Sequence, residues 1–407
     1  MSESNAAPVS KRPLDTPFRQ QRLPAWQPIL TPQMVAVLFL TLAIPFIGLG
    51  SVVLQESDAV VEYVKQYDGS GVSSELESCK IDNAGLCNIT FDIKDDMEAP
   101  VYLYYQLTNF YQNHRRYAKS YLADQLLGTV YQSGSTALAY CDPLSKNGSL
   151  ILNPCGLIAN TLFNDKITLA TTSGTSGHPK LDTTGIAWPS DKSDKFAQPV
   201  SYCKKADSGS YSCGDGVKTG TDYEFAKASS TESVVGGCLG SVCSDSICGS
   251  VGLPDGCKGY HCDEPDYYNC DEGYYAYYYP EDDYQQYLYE TFPEVVSPLE
   301  GATNEHFIVW MRTAALPTFR KLYGVIDSDL KKGSSITIQV EANFDVTGFE
   351  GTKSLVLSTV TWFGGKNSFF GVAFLLVGSI CLVVGIALEF NLLYNGPRKA
   401  GDKIYLD

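Results

Sequence analysis

The sequence predicts a membrane protein with two transmembrane helices and a large, mostly β, sandwich-like ectodomain that is stapled by disulfides. Three observations support this fold class. Two uncharged apolar runs, at 34–54 and 368–388, are each close to the ~20 residues with which a helix crosses the hydrocarbon core. Twelve of the thirteen cysteines and both N-glycosylation sequons lie between these runs. Stretches that alternate in polarity, as half-buried strands do, recur in the same region.

The apolar runs divide the chain into a tail 1–33, an ectodomain 55–367 and a second tail 389–407. Residues 1–33 contain four basic and two acidic side chains, whereas the ectodomain carries a net charge of −18. Because basic flanks are retained in the cytosol, we expect both tails there and the ectodomain in the lumen or outside the cell. Residues 1–54 do not resemble a cleaved signal peptide, since the run is too long and no small-residue cleavage site follows it. We therefore expect an integral protein of the endoplasmic reticulum, the Golgi or endosomes, or the plasma membrane.

The cysteines and sequons of the ectodomain indicate an oxidising compartment. An even number of cysteines fits disulfides, and the thirteenth, Cys381, lies in the second apolar run. The two sequons predict glycans on Asn88 and Asn147.

Residues 203–290 differ in composition from the rest of the ectodomain. They end in a tract, residues 263–290, that contains ten tyrosines and nine carboxylates. We favour a disulfide-pinned surface excursion with a solvated acidic end; a docking surface for a basic partner or a divalent cation is the alternative. A zinc site is conceivable, but the five-residue cysteine spacing and the oxidising lumen favour disulfides. The cysteines, whose pairing the sequence leaves open, are Cys203, Cys213, Cys238, Cys243, Cys248, Cys257, Cys262 and Cys270.

Aromatic and β-branched residues predict strands in the rest of the ectodomain. Ile336, Ile338 and Val340 alternate with polar residues, which indicates a half-buried strand. Residues 111–128 predict one or two helical turns that carry a group of basic side chains. The strand candidates are residues 101–110, 306–312, 335–346 and 352–363.

Glycines give the second apolar run a readable pattern. Gly371, Gly378 and Gly385 recur every seven residues, which places them along one stripe of a helix. Such a stripe allows close packing either of the two apolar helices on each other or on another membrane protein. Gly48 and Gly50 are candidates for the same role in the first run, where a proline at position 45 predicts a kink.

Motifs of catalysis and metal binding are absent from the sequence. It contains no H-E-x-x-H, no G-x-S-x-G and no G-x-x-x-x-G-K-[ST]. Residues 217–221, VKTGT, are similar to the phosphorylation motif of P-type ATPases, but Val217 stands where the phosphate-accepting aspartate is required. We expect no enzyme activity, no cofactor, no metal site and no nucleic-acid partner.

Six blocks, in order along the chain, resemble the cell-division-control-protein-50 and ligand-effect-modulator family. The first, FRQQRLPAWQPILTP at 18–32, directly precedes the first apolar run. Between the fourth and fifth blocks the family usually has a much shorter connection than this chain. The other blocks are LYYQLTNFYQNHRRYAKS (103–120), CDP with NPCGLIANTLFND around Cys141 and Cys155, GIAWPSDK (185–192), NEHFIVWMRTAALPTFRKLYG (304–324) and FDVTGFEGTKSLVLSTVTWFGGKN (344–367).

The resemblance implies a non-catalytic β-subunit of type IV P-type ATPases, the phospholipid flippases. Such a subunit forms a heterodimer with the catalytic subunit among membrane lipids, escorts it from the endoplasmic reticulum and supports its transport cycle. The resemblance further implies the disulfides Cys79–Cys87 and Cys141–Cys155. The alternative, motivated by the acidic tyrosine-rich tract, is a standalone two-pass receptor or adhesion protein.

The first block is the segment that the resemblance assigns to partner binding. Its prolines favour an extended backbone, and its arginines supply donors for carboxylates or lipid headgroups. We expect it to contact the cytosolic side of the pump, while the ectodomain covers the extracellular loops. The predicted partner-binding residues are Phe18, Arg19, Gln20, Gln21, Arg22 and Trp26.

Overall fold

The structure is a computed structural model. It describes residues 15–23, 31–73, 76, 79–81, 85–173, 179–199, 203–206, 211–213, 258–261, 274–279 and 284–396. Two compact units divide the chain. The helix unit comprises Met1–Ser57 and Asn367–Asp407, and the β unit comprises Asp58–Lys366.

Two long helices and several short ones lie in the described part of the chain. One long helix contains the run 34–54, the other contains the run 368–388 except Ser368, and both helices extend beyond these runs. Two short helices fall within residues 111–128, so the helical turns predicted there are confirmed. The helices are α1 (Pro32–Ala59), α2 (Arg115–Lys119), α3 (Ala123–Leu126), α4 (Pro189–Asp194), α5 (Leu288–Thr291), α6 (Glu305–Met311) and α7 (Phe369–Asn395).

Strands are the main regular structure in the described part of the β unit. Three strands lie within the predicted ranges 101–110, 335–346 and 352–363, which are confirmed with shorter ends. The strands are β1 (Glu62–Gly69), β2 (Leu86–Asp92), β3 (Val101–Leu107), β4 (Lys146–Asn147), β5 (Leu150–Asn153), β6 (Lys166–Ser173), β7 (Leu181–Asp182), β8 (Cys203–Ala206), β9 (Tyr211–Cys213), β10 (Lys258–His261), β11 (Tyr274–Tyr278), β12 (Gln285–Tyr287), β13 (Phe319–Ile326), β14 (Ser335–Glu341) and β15 (Thr352–Ser358).

Two antiparallel sheets contribute to one hydrophobic core. Their strand orders are β1-β15-β3-β13-β7 and β2-β14-β6. Ile336, Ile338 and Val340 of β14 are at most 1% exposed, so the predicted alternation is correct. They belong to the same buried cluster as Leu103 of β3 and Leu355 of β15. Chain segments that are distant in sequence therefore share a single core, which fixes the loops between them.

The strand predicted at 306–312 is wrong, because residues 306–311 lie in helix α6. Asn304 begins the helix, and its side-chain oxygen accepts a hydrogen bond from the amide of Phe307 at 3.0 Å. At the other end, the Lys321 ammonium donates to the carbonyl oxygens of Val309 and Trp310 at 2.9 and 3.1 Å. A short buried helix and a buried strand have the same apolar composition, so composition did not distinguish them.

Two smaller sheets, with strand orders β12-β5-β4 and β10-β11-β8-β9, complete the β unit in the described residues. The second draws all its strands from the cysteine-rich region, and Cys203 is the register partner of Cys213. Six predicted cysteines lie outside the described residues: Cys238, Cys243, Cys248, Cys257, Cys262 and Cys270.

The end of the tyrosine-rich tract is part of the core, so the surface excursion predicted for residues 203–290 does not include Tyr279 and Tyr287. Eight of the nine carboxylates of the tract lie outside the described residues, and Glu290 is exposed. Tyr279 and Tyr287 are 1% and 2% exposed, and their ring centroids lie 4.5 Å apart. The Tyr279 hydroxyl donates to the carbonyl of Pro298 at 2.8 Å. One carboxylate of the tract also has a structural role, since Glu290 accepts from the amide of Tyr287 at 2.8 Å and caps α5.

Candidate functional site

The predicted partner-binding segment contains a turn. The amide of Gln20 donates to the carbonyl of Thr16 at 2.9 Å, and that of Arg22 donates to the carbonyl of Pro17 at 2.7 Å. The expectation of an extended backbone is therefore wrong for residues 16–22. Pro17 has the fixed φ that suits the beginning of a turn, and Gln21 adopts a left-handed φ of 55° near its end.

The two arginines of this turn differ in their contacts. Arg22 forms an ion pair with Asp15, and both side chains are exposed. The side chain of Arg19 is exposed as well, but it has no ion-pair partner among the described residues. Next to it, Phe18 is 76% exposed. The turn thus exposes the ring of Phe18 and the guanidinium of Arg19 next to each other. Trp26 lies outside the described residues.

The glycine stripe of α7 packs against α1. A Cβ atom added to Gly371, Gly378 or Gly385 would lie 2.7 to 2.9 Å from an atom of α1. Gly50 has the same role in α1, since its Cβ would lie 2.8 Å from the backbone nitrogen of Leu375. Gly48 does not, because nothing lies within 4 Å of its Cβ position. The sequence left open whether the stripe packs on the other apolar helix or on another membrane protein. In the structure, the two helices pack on each other.

The outer faces of α1 and α7 are apolar and exposed. Ile44 is 75% exposed on α1, and Val383 and Phe390 are 65% and 70% exposed on α7. Both helices are long and apolar enough to cross a membrane. The glycines of the stripe already pack against α1, so a further helix or a lipid would contact these larger side chains instead.

In the β unit, the fourth and fifth blocks of the resemblance meet at a charged junction. The Asp191 carboxylate accepts hydrogen bonds from the Nε of Arg312 and, at 2.6 Å, from the ammonium of Lys195. These bonds, that of Arg312 foremost, hold the pKa of Asp191 below its usual range. The Arg312 guanidinium also lies 4.8 Å from the ring centroid of Trp188, an exposed cation–π contact.

Glu305 makes a second link between the same blocks. Its carboxylate accepts from the Lys192 ammonium at 2.5 Å and from the Ala187 amide at 3.0 Å. Burial raises the pKa of Glu305, but the hydrogen bonds from Ala187 and Lys192 outweigh burial, and the pKa is lowered. Both blocks have charged residues beside aromatic ones, but spacing along the chain could not show that these residues pair across more than a hundred positions.

A cavity of about 340 Å³ opens at this junction. Apolar side chains form its walls, and the exposed cations of Lys195 and Arg312 lie at its edge. Its volume is within the range of small-ligand sites. The apolar wall residues include Leu126, Leu127, Phe196 and Met311.

An aromatic cluster joins the second, fifth and sixth blocks. Phe110 lies at its centre, with ring centroids 5.6 Å from Trp310, 6.1 Å from Phe344 and 5.2 Å from Phe349. Aromatic pairs at these distances add to the free energy gained by burial. The blocks that carry the resemblance therefore include the contacts that hold the β unit together.

The two predicted glycan sites are both exposed. Asn88 lies on β2, an edge strand of its sheet, on the face opposite to buried Ile89. Asn147 lies on β4, where its side-chain amide donates to Gln286 at 2.9 Å. The side-chain amide of Asn147 is thus hydrogen-bonded in the folded chain, whereas Asn88 has no such contact among the described residues.

Two disulfides occur in the described part of the chain, Cys79–Cys87 and Cys141–Cys155. They are the two pairs that the resemblance implied. The thiol of Cys381 is free and is buried in the helix unit. The described residues contain no cluster of three or more His, Cys, Asp or Glu that could hold a metal ion.

Comparison with known proteins places the chain in a family. A sequence model of the LEM3 (ligand-effect modulator 3) family / CDC50 family matches residues 53–229 and 259–399. The chain belongs to this family. The family match is interrupted at residues 230–258, within the cysteine-rich region, and the first block, 18–32, lies before the match begins.

Members of the family align along nearly the whole chain. ALA-interacting subunit 3 from Arabidopsis thaliana is 36% identical over 99% of this chain and 92% of its own length. Cell cycle control protein 50A from Mus musculus is 33% identical over 97% and 93%. Phospholipid-transporting ATPase accessory subunit CDC50 from Chaetomium thermophilum is 29% identical over 100% and 92%.

Proposed function

We propose that the chain is the non-catalytic accessory subunit of a type IV P-type ATPase phospholipid flippase, with which it forms a heterodimer. The observation that carries the proposal is the family match across both units, with relatives named as an ATPase accessory subunit and an ALA-interacting subunit. In this role the chain escorts the ATPase out of the endoplasmic reticulum and supports lipid transport without chemistry of its own.

The proposed arrangement places α1 and α7 across the membrane with both tails in the cytosol. The apolar outer faces of the helices suit lipid or the helices of the ATPase. The β unit, as a sandwich-like ectodomain, lies on the other side, where disulfides persist and glycans on Asn88 and Asn147 are added. The basic excess of residues 1–33 supports this orientation.

Two surfaces are the proposed contacts with the ATPase. On the cytosolic side, the turn at residues 16–22 presents Phe18 and Arg19, which have an exposed ring and an exposed guanidinium. On the opposite side, the β unit covers the extracellular loops of the ATPase. Arg22 contributes less directly because its guanidinium already pairs with Asp15.

Co-purification from native membranes tests the proposal. The tagged chain, extracted in mild detergent, is expected to retain a much larger multi-span ATPase. Arg19→Ala should lower the amount of ATPase recovered, because it removes an exposed guanidinium that has no ion-pair partner among the described residues. The matched control is Arg22→Ala, which removes an exposed arginine of the same turn whose guanidinium already pairs with Asp15, so the loss of ATPase should be smaller.

A standalone receptor would behave differently in the same experiments. Recovery of the chain without any ATPase would contradict the proposal. Depletion of the chain offers an independent measurement: an accessory subunit's loss leaves the flippase in the endoplasmic reticulum, and a receptor's loss does not.

A further inference from the structure

The β unit has one end at which its chain enters and leaves. Strand β1 follows α1, and β15 precedes α7. These two strands are neighbours, with Glu62 opposite Ser358. The pairing continues toward the chain ends, because the amide of Thr359 donates to the carbonyl of Val61 at 3.0 Å. Both connections to the apolar helices therefore emerge from the same corner of the five-stranded sheet.

A small hairpin lies at this corner. Thr361 and Gly364 form an antiparallel bridge, with amide-to-carbonyl distances of 3.0 and 2.9 Å in the two directions. The tip of the hairpin is Trp362 and Phe363, which are 75% and 40% exposed. Their rings contact each other edge to face at a centroid distance of 5.8 Å. The bridge fixes two aromatic rings outside the core of the β unit.

Trp362 lacks the cation–π contact that the other exposed tryptophan of the β unit makes. The ring of Trp188 is covered on one face by the guanidinium of Arg312 at 4.8 Å. Trp362 has neither a stacked cation nor a hydrogen bond to its indole nitrogen among the described residues. A large apolar ring with a free donor is suited to a boundary between apolar and wet surroundings.

Chain length limits how far the hairpin can be from the start of α7. Trp362 precedes Phe369 by seven residues, which span at most ~25 Å when fully extended. The exposed side chain of Lys366 lies between them and can pair with lipid phosphate. Val360, before the hairpin, is 39% exposed and adds to the apolar surface. Tryptophan, phenylalanine and lysine beside the end of an apolar helix are the residue types of membrane interfaces.

We propose that the Trp362–Phe363 hairpin docks the β unit onto the outer leaflet of the membrane, with both rings at the level of the headgroups and upper acyl chains. The inference rests on the two-span arrangement proposed above, because a bilayer must begin where α7 begins. The hairpin would hold the membrane-proximal corner of the sheet at a fixed height above the bilayer, and Lys366 would contact phosphate.

Fluorescence quenching by brominated lipid tests the inference. The full chain is reconstituted into phosphatidylcholine nanodiscs whose acyl chains are unbrominated, brominated near the headgroup or brominated near the methyl end. The fluorescence of Trp362 is obtained as the difference in emission between the wild-type chain and the variant Trp362→Phe. Most of that signal should be lost with bromine near the headgroup, and less with bromine near the methyl end. The matched control is Trp188→Phe, whose removed emission should be equal in all three lipids.

Equal Trp362 emission in brominated and unbrominated nanodiscs would overturn the inference, because the ring would then lie outside the bilayer. The outcome is separable from that of the proposed function. If an ATPase co-purifies with the chain but bromine leaves Trp362 unquenched, the docking inference alone fails. If bromine quenches Trp362 but no ATPase is recovered, the inference holds and the accessory role fails.

Discussion

At the scale of single residues, a lysine is the least expected member of the core. Lys353 of β15 is 0% exposed, and its ammonium lies 2.8 Å from the Asp165 carboxylate and 3.0 Å from that of Asp68. It also donates to the carbonyl of Phe344 at 2.7 Å. Tyr67 donates to Asp165 at 2.7 Å, and burial, with the nearby Asp165, raises the pKa of its hydroxyl. The cluster ties β1, β15 and the loop before β6 together.

We expect Lys353→Met to destabilise the β unit strongly. The substitution leaves two buried carboxylates without a cation, and breaking a buried pair in this way costs about 3–5 kcal/mol. Thermal unfolding of the purified chain measures the loss. Lys331→Met is the matched control, because it breaks the exposed pair with Asp329 and should have little effect. Equal unfolding temperatures for the two variants would contradict the assigned role of Lys353.

His306 is expected to make the β unit sensitive to acid. Burial lowers its pKa from 6.5 to about 4, although the adjacent Glu305 acts in the opposite direction. Its Nδ1 is buried without a hydrogen-bond partner, and its ring lies 4.4 Å from that of Tyr323. As pH falls, the unfolded chain binds a proton first. The part of the stability that depends on neutral His306 is therefore fully present above about pH 6.5 and is lost progressively toward pH 4.

The variant His306→Phe tests this pH dependence, because it keeps a ring against Tyr323 and removes the titrating group. Between pH 7 and pH 5 the wild-type chain should lose on the order of 2 kcal/mol more than the variant. Unfolding temperatures of both chains at the two pH values provide the measurement. An equal acid-induced decrease in the two chains would assign the sensitivity to other groups.

At the scale of elements, periodicity and glycine spacing predicted more than composition did. The alternation around Ile338 identified β14, and the seven-residue spacing of glycines identified the packed face of α7. Composition failed for α6, where a buried apolar run has the same residue types in a helix as in a strand. The cap at Asn304 was the available signal, and the stabilising contact from Lys321 was not visible, since it comes from a later strand.

Gly371→Ala is expected to destabilise the packing of α7 on α1. Its Cβ would lie 2.9 Å from the backbone nitrogen of Leu54, so a backbone would have to move. Gly48→Ala is the control, because nothing lies within 4 Å of its Cβ. Alanine favours the helical state over glycine by ~1 kcal/mol at either position. A loss of stability in Gly371→Ala therefore reports the contact between the two helices. Unfolding temperatures in detergent micelles measure it, and equal shifts for both variants would rule out this contact.

At the scale of the whole molecule, the sequence predicted the two helices and the β-rich part but not the junctions that unite the blocks. Asp191 and Arg312 are 121 positions apart and share one hydrogen bond. Spacing along the chain carries no information about such a pair. The limits of the cysteine-rich region were also misjudged, since Tyr279 and Tyr287 near its end are core residues. A deletion that extends from the cysteine-rich region to residue 290 would therefore remove core residues.

A sharper deletion removes residues 214–257, between β9 and β10. These strands lie at opposite edges of a four-stranded sheet, about 14 Å apart at the usual strand spacing, and about ten Gly and Ser residues span that distance. Four cysteines of the region remain, an even number: Cys203, Cys213, Cys262 and Cys270. Because all six blocks of the resemblance are untouched, we expect unchanged thermal stability and continued recovery of an ATPase.

The same deletion tests whether the insertion selects the partner. The interruption of the family match, residues 230–258, covers most of the deleted stretch, so the contacts common to the family do not require that part of it. We expect the shortened chain to recover the candidate ATPases in altered proportions, quantified by mass spectrometry of the co-purified bands. A Gly/Ser replacement of the full original length separates the effect of sequence from that of length. Recovery of the same ATPases in the same proportions by all three chains would show that the insertion has no part in the choice of partner.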